Sequence, residues 1–235
     1  KNDYKYFLND IHEEINIGNK FNSKRIMKIY GFSYDDKEEE VYIILELLNN
    51  KGCLFDYIYK MNYVFSKKDK IKLFLSVILA VKSMHAKGFC HSDLKLENLS
   101  YFYDFENKNK YVKLIDFNCV RNVKYNNEKI DYTYGTYGYC APEQMGNNKY
   151  ICLKSDIYSL GIIYLELLMD DELWDTNFNS HQKYRKSILQ NLNELKEYDY
   201  ENYDIIKKCI SLTPDKRYDI YELYNIIKKL NNDCI

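Results

Sequence analysis

Between Ser66 and Gly88 the chain carries its strongest periodic signal, with Ile71, Phe74, Leu75, Val77, Ile78, Val81 and Met84 recurring at the spacing of one helical face. An apolar stripe that broad must be covered, so a helix over about 67–87 demands other elements packed on it. Ser66 suits the N-cap, Asp69 completes a capping-box-like start, and Gly88 ends the helix. The helix therefore delivers the stretch HSDLKLEN (91–98) onto a loop at its C-terminal side.

Upstream, residues 5–21 place Phe7, Leu8, Ile11 and Ile15 at helical spacing, with Gly18 weakening the end. Two strand-like runs follow, IMKIYGF (26–32) and VYIILEL (41–47), separated by the acidic turn SYDDKEEE. After NNKG (49–52) the character changes to mostly helical. A short amphipathic helix is predicted over Leu54 to Tyr59, then the long helix, then a hairpin-like pair, LSYFYDF and KYVKLIDF, around the tip ENKNK. Helical segments are predicted at about 155–169, 182–195, 204–211 and 219–230. No internal repeat is visible, and the whole reads as α+β.

With 235 residues, 46 % of them apolar, the chain can bury one large core or two small adjoining ones. A net charge of -1 gives bulk electrostatics no reason to prefer nucleic acid or an anionic membrane, and neither is expected as a partner. Seven scattered cysteines without a CxxC pair fit neither a zinc site nor a disulfide framework, and read as reduced thiols in a cytosol-like compartment. The most apolar run, Leu160 to Met169, carries Glu166 and falls well short of the ~20 residues of a membrane span. No signal peptide is visible, and Lys1 to Tyr6 reads as a cut into a longer protein. A cytoplasmic address is the expectation; oligomeric state is left open.

Three motifs stand in order: HSDLKLEN (91–98), IDFN (115–118) and GTYGYCAPE (135–143). SDIYSLGIIYLELL (155–168) and TPDKR (213–217) follow. Together they resemble the catalytic loop, the metal-binding Asp-Phe-Gly motif, the end of the activation segment, the central buried helix and the Arg paired with Ala-Pro-Glu in eukaryotic protein kinases. The resemblance implies a protein-kinase-like fold, with a partial small lobe of one helix and a β-hairpin with the hinge over 1–48, and a large helical lobe over 49–235. It implies ATP and Mg²⁺ as cofactors and a protein substrate phosphorylated on Ser or Thr, since Lys stands two residues after Asp93.

Phosphoryl transfer needs an oriented hydroxyl, metal on the phosphates and positive charge near the moving group. The resemblance gives Asp93 the substrate hydroxyl, Lys95 the γ-phosphate, and Asn98 and Asp116 the Mg²⁺. Taken singly, Asp93 and Asp116 would read as loop acids capping backbone; their spacing with Lys95 and Asn98 carries the chemistry. Thr136 matches the residue that bonds the catalytic Asp and Lys. His91 and Phe117 read as packing residues, Asp156 as a buried anchor for the catalytic loop, and Glu143 with Arg217 as a structural ion pair. His12, His85 and His181 receive no role.

Counting back from RIMKIYGF, Glu14 falls where the family's helix-borne Glu pairs with a strand Lys that grips ATP, and Glu13 is the alternative register. Leu45 would be the gatekeeper, and Glu46 to Leu48 the hinge whose backbone reads adenine, so that Glu14, Glu46 and Leu48 join the cofactor-binding set with Lys95, Asn98 and Asp116. The chain itself shows no GxGxxG loop and no strand Lys, and the expectation is that the first small-lobe strands precede Lys1. A pseudokinase acting as a nucleotide-binding or scaffolding module is the alternative reading.

Further departures bear on regulation and affinity. Asn118 replaces the usual Gly and is tolerable where positive φ is needed. Ser100 replaces an apolar residue under the adenine ring. Gly18 stands where a bulky spine residue is usual if Glu14 is the right register; Ile17 takes that place if Glu13 is. Ser92 replaces the Arg that clamps a phosphorylated activation segment. Activity should therefore not depend strongly on phosphorylation between Asn118 and Gly135, where Tyr132, Thr133 and Tyr134 could be modified, and loss of activity in a folded Thr133→Ala protein would refute this. Glu97 and the acids Asp170, Asp171, Glu172 and Asp175 read as a solvated acidic surface.

Overall fold

A computed structural model describes residues 11–12, 14–35, 40–48, 52–104, 109–123, 128–130, 135–145, 147–169, 173–174 and 180–233. Helical residues 11–12 and 14–18 end at Gly18, so this helix stops three residues before the predicted Phe21. Strands β1 (Ile29–Asp35) and β2 (Glu40–Leu45) pair antiparallel, in register from Ile29 opposite Leu45 to Asp35 opposite Glu40, with an irregularity between Ile29 and Gly31. Ser33 to Asp35 thus belong to the ladder rather than to a turn. Backbone pairing continues through the alternating Ser-Tyr-Asp run despite its polarity, because strand register follows the hydrogen-bond ladder once started.

Cys53 N–H donates to the Asp56 carboxylate at 3.0 Å and opens the short helix, whose Asp56–Lys60 part widens to a π-helical turn. Helix α1 (Lys67–His85) begins as the sequence predicts: Ser66 Oγ accepts from Asp69 N–H at 3.1 Å. It ends two residues early, before Gly88 at φ 79°. Strands β3 (Phe89–Cys90), β4 (Leu99–Asp104) and β5 (Asn109–Leu114) follow, with β4 and β5 forming the expected hairpin, Leu99 opposite Leu114. The pairs β3 with β6 (Arg121–Asn122), and β7 (Glu128–Lys129) with β8 (Tyr150–Ile151), are two residues long.

Helix α2 (Leu153–Met169) is the axis of the helical region: Ser155 to Leu167 are all buried. A helix apolar on every side must be enclosed. It is flanked by α1, α3 (His181–Tyr198) and α4 (Tyr200–Cys209), while α5 (Ile220–Asp233) covers the outer face of α1. Gly161 lets α4 approach: a Cβ there would sit 2.7 Å from Cys209 Cβ. On the other side of α1, Ser76 Oγ bonds both the N–H and the carbonyl of Val112 at 3.1 Å, tying the helix to β5. This buried side-chain link fixes where β5 ends, and hence where Asp116 emerges. No described helix is long and apolar enough to cross a membrane. Phe7, Leu8, Glu13, Tyr132, Thr133, Tyr134, Asp170, Asp171, Glu172 and Asp175 lie outside the described residues.

Candidate active site

The loop 91–98 is held from below by Asp156. Its Oδ2 accepts from His91 N–H at 2.9 Å and meets His85 Nε2 at 2.8 Å, while Oδ1 accepts from Ser92 N–H at 2.9 Å. Burial alone would raise this carboxyl's pKa, but the hydrogen bond and charge of His85, with His91, outweigh it and the net shift is downward. An ionised buried acid aimed at two successive N–H groups permits the left-handed turn at Ser92, φ 71°. The Ser92 side chain is buried beside the Cys90 thiol and forms no hydrogen bond of ordinary geometry among the described residues.

The next residues converge. Asp93 Oδ1 accepts from Thr136 Oγ1 at 2.8 Å, Lys95 Nζ donates to the same Thr136 oxygen at 2.9 Å, and Lys95 lies 3.4 Å from Asp93 Oδ2. Asn98 Nδ2 donates to the Asp93 carbonyl at 3.0 Å. One hydroxyl thus joins an acid and an ammonium that are also paired directly. Asp93 N–H reaches His91 Nδ1 at 3.4 Å, and burial holds the His91 pKa below its ordinary value against the pull of Asp156, Asp93 and Asp116.

Thr136 is placed by the segment around it. Gly135, at φ 92°, lies so close to the loop 91–98 that a Cβ would be 2.6 Å from the Ser92 carbonyl oxygen. Gln144, fully buried, donates to that same carbonyl at 3.0 Å and accepts from Ala141 N–H at 3.0 Å. Sequence reasoning missed Gln144; its position directly after Ala-Pro-Glu was the available signal. Glu143 and Arg217 form the expected pair, at 2.6 and 2.8 Å, both buried.

Asp116 emerges after β5 with an exposed carboxylate whose Oδ1 accepts from Asn118 N–H at 3.2 Å. The left-handed residue here is Asp116 itself, φ 66°; Asn118 does not have positive φ. The tolerance of Asn118 for positive φ is not needed, because the Asp116 side chain closes the turn. Burial raises the Cys119 pKa, and the charges of Asp93 and Asp116 add to the rise. Phe117 is buried between Phe21 and His91.

Glu14 reaches this place too. Burial raises its pKa, the Phe117 N–H lowers it and Asp116 raises it again, leaving a net upward shift. A Cβ at Gly18 would fall 2.9 Å from Ile29 Cδ1 and 3.4 Å from Phe117 Cδ2, so the position over Phe117 is filled by Ile29.

Glu46 and Leu48 stand in the irregular segment after β2. Glu46 N–H donates to the Lys28 carbonyl at 3.0 Å, and its carboxylate takes Lys113 Nζ at 2.7 Å on both oxygens and Lys28 N–H at 2.9 Å. Leu45 is 44 % exposed and Ser100 is buried, bridging Cys53 in backbone pairing. Elsewhere Glu166 accepts from Tyr59 and Tyr139 hydroxyls at 2.6 Å, a buried network that the sequence did not announce.

The donor set suits a hard cation. Asp116 offers a carboxylate, and Asn98, with its amide nitrogen spent on Asp93, offers its oxygen; phosphate oxygens and water would complete the shell of a Mg²⁺. No group of three or more His, Cys, Asp or Glu side chains among the described residues could hold a metal unaided.

A family model described as the protein kinase domain matches residues 1–226. The chain belongs to the protein kinase family. This kinase domain is 30 % identical over 214 residues to "Probable serine/threonine-protein kinase MARK-C" of Dictyostelium discoideum, covering 90 % of this chain and 26 % of that protein. It is 27 % identical over 218 residues to "Serine/threonine-protein kinase PLK4" of Nematostella vectensis, covering 89 % and 20 %, and 33 % identical over 171 residues to a Dictyostelium "Probable serine/threonine-protein kinase PLK", covering 73 % and 16 %. The kinase domain therefore spans a quarter or less of the length of the last two and 26 % of the first.

Proposed function

We propose that this chain is the catalytic portion of a protein serine/threonine kinase that transfers the γ-phosphate of ATP to a Ser or Thr hydroxyl of a protein. The single observation that carries the reading is Thr136 Oγ1 bridging Asp93 and Lys95, because it sets an acid that can take a hydroxyl proton beside a cation that can face a phosphate. Residues 1–48 serve as the remainder of the small lobe with the hinge and 49–235 as the large lobe. Glu46 uses its N–H within the fold, which leaves its carbonyl and the Leu48 backbone for adenine. Ser100 offers adenine a polar rather than apolar floor.

In the reaction the substrate oxygen bonds to the γ-phosphorus while the bond to the β-bridging oxygen breaks, and ADP leaves with that electron pair. Asp93 orients the hydroxyl and takes its proton as the oxygen attacks; Lys95 offsets charge on the γ-phosphoryl oxygens. Mg²⁺ held by Asp116 and Asn98 would neutralise the phosphates. Radiolabelled phosphotransfer from Mg²⁺-ATP to a generic protein substrate tests this, using the full protein and its Asp93→Asn form. A loss of about 10² to 10⁴ in rate is expected. Equal incorporation by both would refute the mechanism and favour a scaffolding role.

A further inference from the structure

Apart from the catalytic cluster, Lys24, Arg25, Lys28 and Lys113 converge on a cavity of about 560 Å³ between the segment before β1 and the β4–β5 hairpin. We propose that this cavity docks an acidic peptide segment, one presenting a carboxylate or phosphate next to an apolar side chain. The reading goes beyond phosphotransfer and stands whether or not Asp93 is active.

Charge balance is the first ground. Glu46 is the one acid among the described lining residues, and both its oxygens are already taken up by Lys113 at 2.7 Å. Three cations therefore face one cavity uncompensated by any lining acid. Arg25 is the informative member: its guanidinium lies 3.8 Å over the Tyr111 ring, and burial lowers its pKa, partly offset by Tyr111. A cation that has lost water without gaining a carboxylate gains more than an exposed one from an arriving anion.

The second ground is shape. The lining also includes the half-buried Leu79 and Phe102, so an apolar side chain adjoining the anion finds an apolar contact. The backbone beneath is preformed: Leu114 N–H donates to the Arg25 carbonyl at 2.8 Å and Met27 N–H to the Leu114 carbonyl at 3.0 Å. Nucleic acid fits less well. Arg25 already covers the Tyr111 face on which a base would stack, and a net charge of -1 supplies no long-range field for a polyanion.

The test is fluorescence anisotropy on the full protein with a labelled nonapeptide alternating Glu and Leu around a central phosphoserine. Saturable binding is expected, weakened about tenfold or more by Arg25→Glu and by the double variant Lys24→Glu with Lys28→Glu, on the scale of losing charge-assisted contacts. Lys24 and Lys28 are exposed, so the double variant should melt like the parent and stays informative if Arg25→Glu does not fold. Absence of saturable binding, or unchanged affinity in the folded double variant, overturns the proposal. Tighter binding of a single-stranded oligonucleotide, abolished by the same charge reversals, overturns the peptide in favour of nucleic acid.

Discussion

Thr136 is the residue on which the catalytic geometry turns. Its hydroxyl is at once donor to Asp93 and acceptor from Lys95, so Thr136→Val leaves the two charges held only by their direct contact at 3.4 Å. Phosphotransfer should fall about 10- to 100-fold, the scale of a small misplacement of reacting groups, while thermal melting stays close to that of the parent. Ser92 presents no guanidinium, and the end of the segment is instead bound to its carbonyl by Gln144. Thr133→Ala should accordingly keep its phosphotransfer in a kinetic assay. Arg217→Ala should lower unfolding free energy in urea by about 3–5 kcal/mol, because it strands a buried Glu143 carboxylate.

At the scale of elements, the contact between α2 and α4 depends on a missing side chain. Gly161→Ala gains up to about 1 kcal/mol in helix propensity, yet its Cβ would meet Cys209 Cβ at 2.7 Å and Ile210 Cγ2 at 2.8 Å. Both are core atoms, so overpacking of about 1–3 kcal/mol should win and the variant should unfold at lower urea. The elements themselves were largely legible. The α1 cap at Ser66, the β4–β5 hairpin and the enclosed α2 follow from local periodicity and capping chemistry, which act within a few residues. The extension of β1 to Asp35 was not legible, since it comes from pairing with β2, and neither was the site of the left-handed turn. Asp116 adopts it, and its carboxylate accepts from Asn118 N–H.

Across the whole molecule, Glu46 with Lys113 is one of the polar links that tie the segment after β2 to the β4–β5 hairpin. Both side chains are about 15 % exposed, so the pair is screened only in part. Lys113→Met should free the segment after β2, and hydrogen exchange at Glu46 N–H should quicken about tenfold, the scale of one net hydrogen bond.

From the sequence alone came the α+β class, the family motifs and the identities of Asp93, Lys95, Asn98 and Asp116, because residue type and spacing along the chain are sufficient for them. The family resemblance also implied that Thr136 bonds Asp93 and Lys95, 43 and 41 residues distant; only the tertiary structure decided that Gln144 grips Ser92 from 52 residues away and that four cations meet over one cavity. Those contacts join segments far apart in the chain, and the packing of α1, α2 and β5 is what brings them within hydrogen-bond reach.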